Sequence, residues 1–126
     1  QWKANPGRLD AFLGAIPAGF RYAFEFRDNT WWDPEIYELL TSRGAAFCIF
    51  DLEGRLSPLE VTADFVYVRL HGPGSAYQGD YSDRTLSEWA GRFRGWLEAG
   101  IEVYCYFDND ENGYAAKNAL RIKELL

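Results

Sequence analysis

The 126-residue chain contains no methionine, a single histidine and two cysteines. The missing methionine, with Gln at position 1, predicts a fragment or a processed product. No apolar run approaches the ~20 residues needed to cross a bilayer, so no membrane partner is expected and a cytoplasmic location is. Cys48 and Cys105 lie far apart in strand-like runs and form no CxxC or Cys/His cluster, so both are expected as free thiols. One histidine and two distant cysteines offer no zinc site, and no metal centre is expected. Positive charge is also scarce: 13 Lys and Arg stand against 19 Asp and Glu, a net charge of −6. This weighs against a sequence-indifferent nucleic-acid binder, which needs a basic footprint, while leaving room for a local basic pocket. Phosphate fingerprints are missing too. Gly72-Pro73-Gly74-Ser75 lacks the Gly-Lys-Ser/Thr ending of a P-loop, and the sequence names no cofactor.

What the chain does have is apolar and aromatic bulk, at 48% and 17% of residues, enough for a single domain over residues 1–126 with a real core. Residues 5–17 read as a helix, with Asn5 as N-cap, Pro6 at the first turn, and Leu9, Phe12, Leu13 and Ile16 in its stripe. Arg21 to Arg27 reads as a strand with Tyr22, Phe24 and Phe26 on one face and Ala23, Glu25 and Arg27 on the other. A helix opens at Asp33-Pro34 and stops at Gly44. Ala45 to Asp51 is apolar on both faces, as in a covered parallel strand. Residues 52–62 look irregular. Residues 65–71 alternate Val66, Val68 and Leu70 with Tyr67, Arg69 and His71. The loop Gly72–Arg84 leads to a helix starting at Ser82 or Thr85, with Thr85 and Glu88 as a capping box, and running to Ala99. Trp89, Phe93 and Trp96 fall in its core stripe. Ile101 to Phe107 is a fourth strand, and 113–126 a last helix with Ala116, Leu120 and Leu125 inward.

Alternating strands and helices imply parallel pairing with right-handed crossovers. Four such units fit half of an eight-stranded α/β barrel, which takes ~250 residues. A small open doubly wound sheet is the rival, but that fold usually carries a Gly-rich fingerprint after its first strand, where this chain has Arg27-Asp28-Asn29-Thr30.

Each strand ends in charge: Glu25 and Arg27, then Asp51, then Arg69 and His71, then Asp108, Asn109 and Asp110. In a parallel barrel these ends gather on the rim where active sites are built. Side-chain parity turns Glu25, Arg27, Arg69 and His71 inward, and buried charge must be paired or used. His71 with Glu25 or Asp51 is the candidate acid–base set. Arg27 and Arg69 are candidates to hold an anionic group. Trp31, Tyr77 and Tyr81 are candidates to wall or stack on a ligand, with Asp108 and Asn109 beside them. Plainer explanations stand alongside: a structural Glu25–Arg69 ion pair, and turn chemistry at Asp51 and at Asp108-Asn109-Asp110. Asp108-Asn109-Asp110 also has oxygens suited to Mg²⁺.

Particular segments carry a resemblance. Tyr22-Ala23-Phe24-Glu25-Phe26-Arg27 with Trp31, then Thr62-Ala63-Asp64-Phe65-Val66-Tyr67-Val68-Arg69-Leu70-His71-Gly72, then Tyr77 and Tyr81, then Tyr104-Cys105-Tyr106-Phe107-Asp108-Asn109-Asp110 and Ala116-Lys117-Asn118-Ala119-Leu120 resemble the YecE-like family, also called domain of unknown function 72. The resemblance runs from about residue 5 to the end. It implies a TIM-type barrel of about twice this length, with this chain as its C-terminal half. The family's "SGW"-type opening and "QLPP"-type segment would then precede Gln1. Where the family often shows "FNN", this chain has a carboxylate, Asp108. The family has no settled activity and supplies no catalytic roles. The functional expectation is an enzyme acting on a small polar or anionic, sugar- or phosphate-like ligand at the rim. The alternative is a non-catalytic module for a phosphate or a nucleic-acid end. A half barrel exposes two strand edges, so self-association, or pairing with the missing N-terminal half, is expected.

Overall fold

The computed structural model describes residues 2–126. Among these residues five strands and four helices follow in the order α1 (Pro6–Ala15), β1 (Ala23–Phe24), α2 (Pro34–Ser42), β2 (Ala46–Leu52), β3 (Arg55–Leu56), β4 (Phe65–Leu70), α3 (Asp83–Glu98), β5 (Glu102–Phe107) and α4 (Tyr114–Leu125). Short 3₁₀ turns occupy Asn29–Trp31 and Glu111–Gly113. The expected caps form at the first two helices. Asn5 accepts from the Arg8 amide, and Asp33 from the Glu35 amide. The third helix is capped by Ser82, whose hydroxyl accepts from the Thr85 amide; Thr85 itself is inside the helix and does not act as the cap.

The sheet order is β1-β2-β4-β5, all parallel, with β3 hooked antiparallel onto β2. The architecture is mixed α/β: a parallel sheet with flanking helices. Among the described residues the sheet is open, with β1 and β5 at its edges, so a closed barrel is not formed by this chain. All four helices contribute to one core. Leu9, Leu13, Ile36, Leu40, Leu86, Trp89, Phe93 and Ile122 pack with Phe47, Ile49, Val66, Val68 and Leu70. A doubly wound sheet would carry helices on both faces. Here the other face holds Cys48, Phe50, Tyr67, Arg69, Tyr104 and Tyr106, by strict alternation along the paired strands. On α4 the inward residues are Asn118 and Ile122, whereas Leu120, expected inside, is 64% exposed.

Two expectations are corrected. The first strand, read over Arg21–Arg27, pairs only at Ala23 and Phe24. The segment 52–62, read as irregular, contains β3. One cause explains both. The backbone groups of Ala46 and Phe50 leave β2 on the same side, because hydrogen-bonding direction repeats every second residue. Ala46 donates to Tyr22 of the first strand, but Phe50 exchanges bonds with Ser57, donating to its hydroxyl and accepting from its amide, 2.9 Å each. The β3 hairpin therefore takes the place that an extended β1 would need. The same segment reaches back through Thr62, whose hydroxyl donates to the Ala45 carbonyl at 2.6 Å and accepts from the Phe47 amide at 2.9 Å.

Candidate functional site

The ends of β4 and β5 and the chain just past β1 bring five charged or titratable side chains together. His71 follows β4 directly, its backbone N–H donating to the Asp51 carbonyl at 2.9 Å. Its ring is fully buried. Nε2 lies 3.1 Å from Glu25 Oε1, and Nδ1 lies 3.1 Å from Asp108 Oδ2. The second approach is poorly aligned for a hydrogen bond, leaving Nδ1 buried without a well-directed partner. Arg69 donates from Nε and Nη2 to Asp108 Oδ2 at 3.0 and 2.6 Å, and reaches Glu25 Oε1 from Nη1 at 3.5 Å. Arg27 donates from Nε to Glu25 Oε2 at 2.7 Å and from Nη2 to the Tyr77 hydroxyl at 3.1 Å. Among the described residues its Nη1 forms no hydrogen bond. Each arginine side chain is 35% exposed, while that of Glu25 is 14% exposed. The cluster thus has a buried acidic and imidazole floor and a cationic, solvent-facing edge.

Electrostatics follow from these contacts. Burial alone would push the Glu25 carboxyl up, but hydrogen bonds from His71 and Arg27, with their charge, outweigh it and hold it at about 2. Burial opposes the positive charge of Arg27 and Arg69. Their carboxylate partners prevail and both end raised. The Cys48 thiol, 3.6 Å from Glu25 Oε1, is pushed far up by burial and by that carboxylate, so it stays protonated and inert.

The other candidates take different places. Asp51 faces the helix side: its Oδ2 accepts from the Tyr81 hydroxyl at 2.9 Å, and burial pushes its carboxyl up. It shares the strand-end region with His71 but is not in the Glu25–His71–Asp108 cluster. Tyr81, expected against a ligand, is only 3% exposed; its hydroxyl also accepts from the Gly72 amide at 2.9 Å, which makes it a strut under the loop. Asn109 is equally buried, donating to the Gly79 carbonyl and to Asn118 Oδ1, both at 2.8 Å, with its own Oδ1 unpaired. Its work is to tether the loop after β4. Tyr77, by contrast, is 44% exposed and sets its ring edge-on to His71, centroids 5.4 Å apart. Trp31 stacks on Phe26 at 4.6 Å and walls a groove of about 840 Å³ that also touches Glu25 and Arg27. Among the described residues no group of three or more His, Cys, Asp or Glu is placed to hold a metal ion. Sequence reading missed Asn118 and Asp80 as partners of the loop; a buried amide at a helix's inward position was the available signal, and Asn118 occupies it.

Comparison with known proteins bears on this geometry. A structure of a DUF72 family protein from Thermotoga maritima is 27% identical, with a TM-score of 0.86 over 98% of this chain and 53% of that one. Two structures of a DUF72 family protein from Enterococcus faecalis are 20% and 21% identical, with TM-scores of 0.76 and 0.72, over 95% and 94% of this chain and 50% and 52% of theirs. The chain therefore spans about half the length of the solved structures it matches. No curated protein matches it. The family model described as "Protein of unknown function DUF72" matches residues 1–126, and the chain belongs to that family.

Proposed function

We propose that the rim cluster is the active site of an enzyme acting on a small polar ligand with an anionic, phosphate- or sugar-acid-like group. The observation that carries this reading is the buried His71 ring with a carboxylate 3.1 Å from each nitrogen, beside two partly exposed guanidiniums. Arg27, with a donor to spare and an open face, takes the anionic group. His71 moves the proton: Glu25, held ionised, anchors Nε2, and Asp108 faces the nitrogen that exchanges. Asp51, bonded to Tyr81 on the helix side, has no part in this scheme. Binding of a nucleic-acid end has less support, since each arginine already faces a carboxylate and the net charge is −6.

The placement of all four helices on one sheet face supports a further reading, that this chain supplies half of a TIM-type barrel. The aromatic face bearing Tyr67 and Tyr106 would then look into the barrel.

The test of function uses full-length protein, with thermal shift and calorimetry against inorganic phosphate and a panel of sugar phosphates. Binding is expected, and Arg27→Gln should weaken it about tenfold or more, the worth of a charge-assisted hydrogen bond. Absence of binding by every phosphate compound, or unchanged affinity in Arg27→Gln, would reject the proposal.

A further inference from the structure

His71 is sealed, and the seal is specific. The ring is fully buried although it sits just past the end of β4, an inner strand of an open sheet. Phe50 covers one side, with centroids 6.3 Å apart, and Tyr77 stands over another at 5.4 Å and 86°. Tyr77 belongs to the loop after β4, whose Pro73, Gly74, Ser75 and Gln78 are all exposed. Two anchored glycines bound this exposed stretch. The Gly72 amide is held by the Tyr81 hydroxyl, and the Gly79 carbonyl by the Asn109 side chain. Both glycines have positive φ, +125° and +94°, so the chain turns sharply at each end. Between them Tyr77 also has positive φ, +63°, a conformation that a bulky side chain seldom adopts and that strains the backbone. Something must hold it there. Its ring packs edge-on against His71, and its hydroxyl accepts from Arg27 Nη2 at 3.1 Å.

We propose that residues 73–78 form a flap whose latch is Tyr77, and that the latch makes the site selective for anions. This rests on the reading of the rim as an anion site and adds how the ligand enters. In the closed state the Tyr77 ring shields His71 and its hydroxyl occupies Arg27. A ligand with an anionic oxygen competes for Arg27 Nη2, a stronger pairing than a phenol oxygen can make. Once Arg27 lets go, the strained Tyr77 loses the bond at its hydroxyl, and the flap swings on Gly72 and Gly79 to uncover His71. A neutral ligand has nothing with which to displace the phenol and leaves the histidine covered. The anchors Tyr81, Asn109 and Asn118 stay in place throughout, since their hydrogen bonds hold the loop's ends.

The experiment reads the accessibility of His71 directly. Full-length protein is treated with diethyl pyrocarbonate, and modification of the peptide bearing His71 is followed by mass spectrometry. Tyr77→Asn is the variant of choice, because Asn tolerates positive φ while the ring and its hydroxyl are both removed. Tyr77→Phe keeps the ring and removes the hydroxyl; circular dichroism checks that both fold. His71 in Tyr77→Asn should react about tenfold faster than in wild type, as expected when a local opening that had to precede reaction is no longer needed. Tyr77→Phe should fall between the two. In wild type, saturating inorganic phosphate should speed modification and neutral glucose should not. Equal rates in wild type and Tyr77→Asn, both folded, would overturn the flap. Faster modification in Tyr77→Asn with no phosphate binding by calorimetry would uphold the flap as a shield and sink the anion reading instead.

Discussion

At Glu25, burial and hydrogen bonding pull the carboxyl in opposite directions, and hydrogen bonding wins. The folded-state value of about 2 lies below the ordinary 4.5, so the contribution to stability is fully present above pH 4.5 and is lost as pH falls toward 2. It amounts to about 3 kcal/mol. Urea unfolding at a series of pH values should show this decline, and Glu25→Gln should lose a comparable amount at pH 7 while showing a flatter response below pH 4.5. Asp51 has the opposite sign. Its raised carboxyl pKa means that ionisation costs more in the fold than in the open chain, so its penalty grows as pH rises. Asp51→Asn keeps an acceptor for Tyr81 and removes the buried charge; stability at pH 7 should stay within about 1 kcal/mol of wild type or rise. A large loss in thermal or urea melts would show that the carboxylate charge itself is needed. The two acids look alike in sequence, each near a strand end. Only parity separated them: Glu25 shares a face with Cys48 and Arg69, whereas Asp51 continues the face of Ile49.

At the level of elements, the convergence of charge was legible because four apolar runs each stop at a charged residue, and parallel strands stop on the same side. Arg27, Glu25, His71 and Asp108 do meet. The length of β1 was not legible. Tyr22, Phe24 and Phe26 alternate as a strand should, but strand pairing is a two-sided property, and its partner's edge is taken by Ser57 from a segment without any periodic pattern. Tyr81 was misread for a similar reason: nothing in an exposed-looking loop tells which of two tyrosines turns inward, and that depended on Asp51 and Gly72 waiting beneath it. The loop itself yields a prediction. A Cβ on Gly72 would lie 2.3 Å from the Gln78 carbonyl oxygen, at a φ of +125°. Gly72→Ala should therefore cost about 2 kcal/mol or more and displace the 73–78 tip, measurable as a lower melting temperature and faster amide exchange there.

For the molecule as a whole, what matters is the uncovered side. Tyr104 and Tyr106 are 37% and 50% exposed on the face opposite the helices, and among the described residues β1 and β5 end the sheet with no strand beyond them. Such edges recruit other strands. The 126-residue chain should self-associate through these edges; a monodisperse monomer in sedimentation velocity at tens of micromolar would contradict this. One detail of the rim reaches further. The first strand has two ladder residues, yet Glu25 immediately after it reaches over its neighbour to His71 and Arg69. That carboxylate acts as a rivet across the sheet, apart from the place in proton traffic that we propose for it. A relative without the proposed chemistry would still be obliged to keep the acid, so its persistence through evolution would testify to mechanical necessity before it testified to catalysis.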